Sequence, residues 1–163
     1  MPNGFQRFIQ HIAATRPGTW INARVLHHLD KPILKATNYR VSATELLSGL
    51  KVVLVKTRGA KTGKDRTLPL GALVDDERLV LVASNFGQSH HPGWAYNIIA
   101  NPEVTVFLDG CEVKYLARIA GSEEWEKHWQ AFTEVYFGYE RYKERASERD
   151  IKIFVLEPVK ISI

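Results

Sequence analysis

From residue 51 to residue 120 the chain alternates short apolar runs with short polar turns. Mostly sequential strands with few crossover helices argue for antiparallel pairing. KVVLVKT is the first run, with Val52, Val53, Leu54 and Val55 at its centre. RTLPLGALV is the second, and Pro69 within it implies a sheet edge or a bulge. Asp75-Asp76-Glu77 turns the chain into RLVLVAS, which ends at Ser84. Glu103 to Leu108 and Glu112 to Ala120 read as a hairpin through Asp109-Gly110, the strongest short hairpin signal present. IKIFVLEPV is the last strand.

Helices surround these strands. Pro92 opens a short one through WAYNIIANP, and Ser122 caps a longer one that runs to about Phe137, with Glu123 and Glu124 in its first turn. A charged stretch from Glu140 to Asp150 precedes the final strand. Residues 1–50 read as a helical N-terminal extension, and residues 51–163 as the strand-rich domain. Phe5, Phe8, Ile9 and Ile12 form an amphipathic turn that docks on the core or makes a peripheral membrane contact through residues 1–12. Ile21, Val25 and Leu29 form a second apolar face that ends near Asp30-Lys31-Pro32. The order predicts an α+β chain, an antiparallel barrel with helices packed on it, and not a doubly wound parallel sheet.

Charge is concentrated in one place. Lys56, Arg58, Lys61, Lys64 and Arg66 against Asp65 give the turn RGAKTGKDR and its flanks a net charge of +4, equal to that of the whole chain. A local excess on a glycine-containing turn suits a small anionic ligand, with backbone N–H groups to help hold it, and argues against nucleic acid. The single cysteine, Cys111, excludes an internal disulfide and a cysteine-based zinc site and fits a reducing cytoplasm. No apolar run is long enough to span a membrane as a helix, and the N-terminus lacks the pattern of a secretion signal.

Several familiar chemistries are missing. There is no GxxxxGK[ST], no GxGxxG opening a helix, no GxSxG, no HExxH and no evident carboxylate pair. The adjacent His90 and His91 point apart and suit a loop surface better than a metal. SNFGQSHHPGW follows a strand and opens a helix, so it is a second place for a phosphate. Trp94 and Asn97, one turn apart, offer a flat surface and an amide, although core packing explains the tryptophan equally well. Tyr136, Tyr139 and Tyr142 lie on one side of a helix or its fraying end, where they form a structural ladder or line an apolar pocket with O–H donors.

VVLVKTRGAKTGKDRTLPL, LVLVASNFGQSHHPGWAYNIIANPEVTV and VYFGYERY, in this order, resemble the deazaflavin-dependent nitroreductase family, as does the earlier LHHLDKPILKAT. The likeness covers roughly residues 25–158 and rests on spaced blocks, which are more specific than any single motif. It implies a split β-barrel like that of FMN-binding pyridoxamine-phosphate oxidases, coenzyme F420 as cofactor, and hydride transfer to a quinone, enone or nitroarene. By position, Lys61 and Arg66 match the residues that hold the cofactor's phosphate and acidic tail, and Thr62 and Gly63 shape that loop. Leu68, Pro69 and Leu70, with Ala83, Ser84 and Asn85, flank the deazaflavin. Trp94 and Asn97 match the helix start that closes over it. Tyr136, Tyr139 and Tyr142 border the cofactor and acceptor and, with Ser84, orient the acceptor, the proton coming from a tyrosine or from water. Gly71 stands where a nitro-drug-activating member has a tyrosine, and Asn85 where it has a lysine; loss of the phenol beside the ring changes the substrate range. FMN in place of F420, and a non-catalytic carrier, are the alternatives. A lipophilic quinone is one candidate acceptor, and the oligomeric state stays open.

Overall fold

The computed structural model describes residues 27–159, together with Gly4, Arg7, Phe8, His11 and Thr15. Five helices are named here in chain order: α1 (His27–Ala36), α2 (Ala43–Ser48), α3 (Gly93–Ala100), α4 (Ser122–Val135) and α5 (Gly138–Arg145). The strands are β1 (Val52–Arg58), β2 (Asp65–Asp75), β3 (Arg78–Val82), β4 (Glu103–Leu108), β5 (Cys111–Ile119) and β6 (Ile153–Pro158). They close, in the order β1-β2-β3-β6-β5-β4, into a barrel whose neighbours are all antiparallel. This is the split β-barrel that the sequence led us to expect.

Strand alternation explains why three strands are apolar nearly throughout. Val53 and Val55 of β1, Leu79 and Leu81 of β3, and Phe154 and Leu156 of β6 point into the barrel. Trp94, Ala95 and Ile98 of α3 close one end of that interior. The alternate residues meet helices outside. Val52 and Leu54 take Leu34 of α1, while Val80, Val82 and Ile153 take Trp129, Phe132 and the three tyrosines of the α4–α5 region. Leu34 and Phe132 are fully buried; burial of this kind contributes about 1.5–3 kcal/mol per side chain.

β2 is the longest strand and has two partners in succession. Asp65–Gly71 is in register with β1, and Ala72–Asp75 with the much shorter β3. Ala72 N–H donates to the Lys51 carbonyl at 2.9 Å, so even-numbered residues of this strand face β1 and odd-numbered ones face away. Thr67 and Pro69 therefore face an edge that no strand covers among the described residues. Pro69 meets the edge expectation, since the N–H it lacks has no partner to lose there. The Thr67 carbonyl on the same edge accepts from Lys31 Nζ of α1 at 3.2 Å.

Other local readings need correction. α1 does not end at Asp30-Lys31-Pro32 but continues through Pro32 to Ala36. Tertiary contacts outweigh the proline: Leu34 is sealed against β1, and buried Asp30 accepts from the backbone N–H and the hydroxyl of Thr44. Ser122 is the first helical residue of α4 and not its cap; Gly121 holds that position, with no side-chain bond. α4 stops at Val135, and the charged stretch that follows is mostly a helix of its own, α5. It is anchored by Trp129 Nε1–H donating to Glu140 at 3.0 Å and by Lys143 lying over the stacked Trp125 and Trp129. Of the N-terminal amphipathic turn, Phe5, Ile9 and Ile12 lie outside the described residues. Phe8 is exposed, and the His11 ring meets that of Phe137 at 4.8 Å. No helix among the described residues is long and apolar enough to cross a membrane.

His128 of α4 is buried, and its Nε2 has no hydrogen-bond partner. Burial first, then the charge of Lys127, holds its pKa below the ordinary 6.5 against the opposing pull of Asp75 and Glu124. Below that ordinary value the unfolded chain takes up a proton that the folded chain refuses, so stability falls as pH drops through it; above it the contribution vanishes. Urea denaturation at pH 7 and pH 5 should show a smaller acid-induced loss for His128→Leu than for the parent. An equal loss in both would contradict this assignment.

Candidate functional site

β1 and β3 run in the same direction, so the loops that follow them, 59–64 and 83–92, leave the barrel at one end, where α3 also lies. The first is the basic turn. Gly59 N–H donates to the Lys64 carbonyl, Gly63 N–H to the Gly59 carbonyl, and Gly63 takes the left-handed φ of +64° that closes the turn. Lys64 N–H reaches Thr62 Oγ1 at 3.4 Å. The amides of Lys61 and Thr62 make no hydrogen bond among the described residues. Arg58, Lys61, Lys64 and Arg66 are exposed, and none joins an ion pair there. Cations and free amides thus stand together, with Asp65, opposite Arg58 on β2, as the one carboxylate of the turn and no ion pair formed among the described residues.

Asn97 fixes this turn to the barrel. Its Oδ1 accepts from Ala60 N–H at 3.0 Å, and its Nδ2 donates to Thr57 Oγ1 at 3.1 Å. Asn101, one turn later, donates to the Arg58 carbonyl at 3.3 Å. Both polar atoms of Asn97 are thereby engaged in shaping the loop. Trp94 is buried in the barrel core with its ring 5.5 Å from that of Phe154. Leu68 and Leu70 pack against the same core, while Pro69 is buried on the opposite face of β2.

The second loop holds Ala83, Ser84 and Asn85 in an unusual backbone. Asn85, Phe86 and Gly87 are left-handed in succession, with φ of 46°, 54° and 77°. A Cβ on Gly87 would lie 2.8 Å from Arg145 Cβ and 2.9 Å from the Tyr142 carbonyl, so this loop presses directly on α5. Left-handed Asn and Phe are costly, and such a path persists only where its surroundings fix it. Asn85 Nδ2 donates to the His90 carbonyl at 2.9 Å. Arg149, from beyond α5, supplies most of the remainder: it donates to the carbonyls of Ala83 (3.2 Å), Ser84 (2.6 Å) and Gln88 (2.9 Å). It also donates to His91 Nδ1 at 3.2 Å, which places the proton of a neutral His91 on Nε2. Burial, then the charges of Arg149 and Lys152, keep the His91 pKa below its ordinary value. Arg149 escaped the sequence reading because only its fold neighbours distinguish it from the other charges between 140 and 150.

The tyrosines straddle the α4–α5 break and form one buried cluster. Tyr136 ends α4, and Tyr139 and Tyr142 lie in α5. The hydroxyls of Tyr136 and Tyr142 are 3.1 Å apart and hydrogen-bonded, and the Tyr139 ring stands edge-on to both. The Tyr139 hydroxyl has no hydrogen-bond partner among the described residues and points toward Gly71 of β2: a Cβ there would lie 3.5 Å from it. Burial raises the pKa of Tyr136 and of Tyr139, so both remain protonated phenols. The structure therefore brings the predicted residues together in two groups, the basic loop with α3 and the tyrosines with β2 and the 83–91 loop.

Removing the Arg149 fork leaves the carbonyls of Ala83 and Gln88 without their donor. Arg149→Met should lower stability by about 2–3 kcal/mol in urea denaturation. Arg149→Lys should recover only part of this, since one ammonium cannot reach three carbonyls. A Met variant as stable as the parent would mean that the loop does not depend on this residue.

Comparison with known proteins gives the arrangement its context. The family model described as F420H(2)-dependent quinone reductase matches residues 33–158. An F420H(2)-dependent quinone reductase of Mycobacterium tuberculosis (strain ATCC 25618 / H37Rv) is 29% identical over 143 residues, 84% of this chain and 95% of that protein. The solved structure of an F420-H2 dependent reductase, FDR-A, is 36% identical, spans 65% of this chain and 93% of its own, and superposes with a TM-score of 0.60. A second solved structure, described only as a domain-swapped dimer, is 30% identical, spans 86% of this chain and 99% of its own, and has a TM-score of 0.61. On the extent of the family match, the chain belongs to the F420H(2)-dependent quinone reductase family.

Proposed function

We propose that this chain binds F420 with its phosphate and acidic tail on the 59–66 turn and its ring between the open stretch of β2 and the 83–91 loop, and reduces a quinone there. One observation carries the placement. Arg58, Lys61, Lys64 and Arg66, with the amides of Lys61 and Thr62, form a turn of net positive charge whose cations make no ion pair among the described residues, at the start of the β2 stretch that has no second strand partner among them. The donor set suits a phosphate-bearing polyanion, and the Thr67 N–H and Pro69 carbonyl, left on that edge beside the Lys31-bonded Thr67 carbonyl, suit the polar rim of a flat heterocycle. When bound, the reduced deazaflavin supplies a hydride.

The protein's share is binding, orientation and a hydrogen bond. Lys61 and Arg66 hold the anionic tail, Thr62 and Gly63 shape the turn, and Asn97 keeps it against the barrel. Leu68, Pro69 and Leu70 form one border of the ring site, Ala83, Ser84 and Asn85 the other, and Arg149 fixes the latter. Trp94 acts from below, by filling the barrel under α3. Among the tyrosines, Tyr139 alone keeps an uncommitted hydroxyl, and burial keeps it protonated. It donates to the quinone oxygen on which negative charge develops, while Tyr136 and Tyr142 hold its ring in place.

Fluorescence titration of the purified chain with F420, with FMN alongside, tests the placement. Lys61→Ala and Arg66→Ala should each weaken F420 binding by about tenfold, with a marked salt dependence. FMN binding in place of F420, or variants that bind F420 as the parent does, would contradict it. In steady-state assays Tyr139→Phe should lower kcat by about tenfold or more with F420 affinity retained. Tyr136→Phe should do less, because its hydroxyl is spent on Tyr142. Equal effects from both would remove the distinction.

A further inference from the structure

Gly71 is on the face of β2 turned toward α5, and the space above it is filled from elsewhere in the chain. A Cβ at residue 71 would fall 2.4 Å from Leu50 Cδ2 and 3.2 Å from its Cγ, with the Tyr139 hydroxyl on the other side at 3.5 Å. Leu50 is buried and packs with Val80, Val82, Tyr136 and Tyr139. Its backbone neighbours are held on both sides. Gly49 closes α2 in the left-handed region, φ 77°, and donates to the Glu45 carbonyl at 2.8 Å. The Lys51 carbonyl accepts from Ala72 N–H, and its ammonium pairs with Asp109 at 3.2 Å and Glu45 at 3.6 Å. The Leu50 side chain is thus delivered to a fixed point, next to Tyr139, whose hydroxyl, unlike those of Tyr136 and Tyr142, is not hydrogen-bonded among the described residues.

We propose that Leu50 sets the size of the acceptor. It supplies, from the segment before β1, the wall that a side chain at residue 71 would otherwise form, and the missing side chain at Gly71 gives it room. The inference rests on the reading that the acceptor oxygen meets Tyr139. A quinone presenting an oxygen to that hydroxyl has its ring flank against the Leu50 methyl groups. Compact rings fit, and rings with bulky substituents on that flank collide. Specificity of this kind, from a few methyl and methylene groups in an apolar site, is worth about ten- to a few hundredfold.

The test is the ratio of kcat/KM for a bulky, ring-substituted quinone to that for unsubstituted benzoquinone, measured with F420 binding to the same samples. Leu50→Ala should raise the ratio by about tenfold, mainly through KM of the bulky acceptor, and Leu50→Phe should lower it. Gly71→Ala forces Leu50 aside, so its effect should differ between the parent and the Leu50→Ala background, a coupling that a double-mutant cycle reads directly. Leu50→Val provides a milder change if the alanine variant folds poorly. If the parent binds no F420, the site reading itself fails. If the parent binds F420 and reduces quinones, but the ratio stays constant across the alanine, valine and phenylalanine variants, Leu50 has no role in acceptor size and the proposal is overturned.

Discussion

The site depends on a mismatch in strand length. β2 is eleven residues long and β3 only five, so β3 cannot pair with all of β2, and among the described residues the first part of β2 has β1 as its sole strand partner. A closed barrel normally leaves no edge. Here one survives, at the end where the basic turn begins. Unpaired backbone groups on an edge seek partners, and this edge has Lys31 of α1 at one carbonyl and a proline, which lacks the donor, two residues on. In the proposed reading the remainder is the backbone contribution to the cofactor site. On the outer face of the same strand, Gly71 lets the tyrosine cluster of α5 come close, joining distant parts of the sequence.

Committed and uncommitted polar groups divide the labour within the site. Asn97, Asn101 and Arg149 spend their polar atoms on backbone groups of the two loops, which makes them shapers of the site. Lys61, Arg66 and the Tyr139 hydroxyl have no such engagement among the described residues, and the proposed function assigns them to the ligand. Rigid loops that carry cations without anions are unfavourable alone, because like charges repel across a short turn. An anion relieves that repulsion. The two left-handed residues before Gly87 belong to the same pattern, with backbone strain held by Arg149 and by close contact with α5.

The barrel was readable in the sequence because its signals are local. Asp109-Gly110 needs positive φ at both residues and takes it, 48° and 84°, in the two-residue turn between β4 and β5. Pro69 pointed to an edge or a bulge because a missing N–H is tolerated there, and the fold shows the edge. The charge excess of RGAKTGKDR marked the turn because its six-residue span contains both glycines that close it. What stayed hidden depends on distance in the fold. Pro32 reads as a stop, yet buried Leu34 and Asp30 carry the helix past it. Arg149 looks like one charge among several until its three carbonyl partners, more than sixty residues away, are in view. Leu50 reads as an ordinary apolar residue, and Gly71 as an ordinary gap in a strand; only the fold shows that one fills the other. The family likeness pointed to the tyrosines as a group, but what separates them, the Tyr136–Tyr142 hydroxyl bond that leaves Tyr139 out, is visible only in the fold.

Amide hydrogen exchange with and without F420 tests the central claim, that the cofactor lies along the basic turn and the open stretch of β2. The account predicts slowed exchange in peptides spanning residues 60–70 and 83–91, with the exposed β4–β5 hairpin unchanged. Protection absent from residues 60–70, or concentrated on β4 and β5, would contradict it.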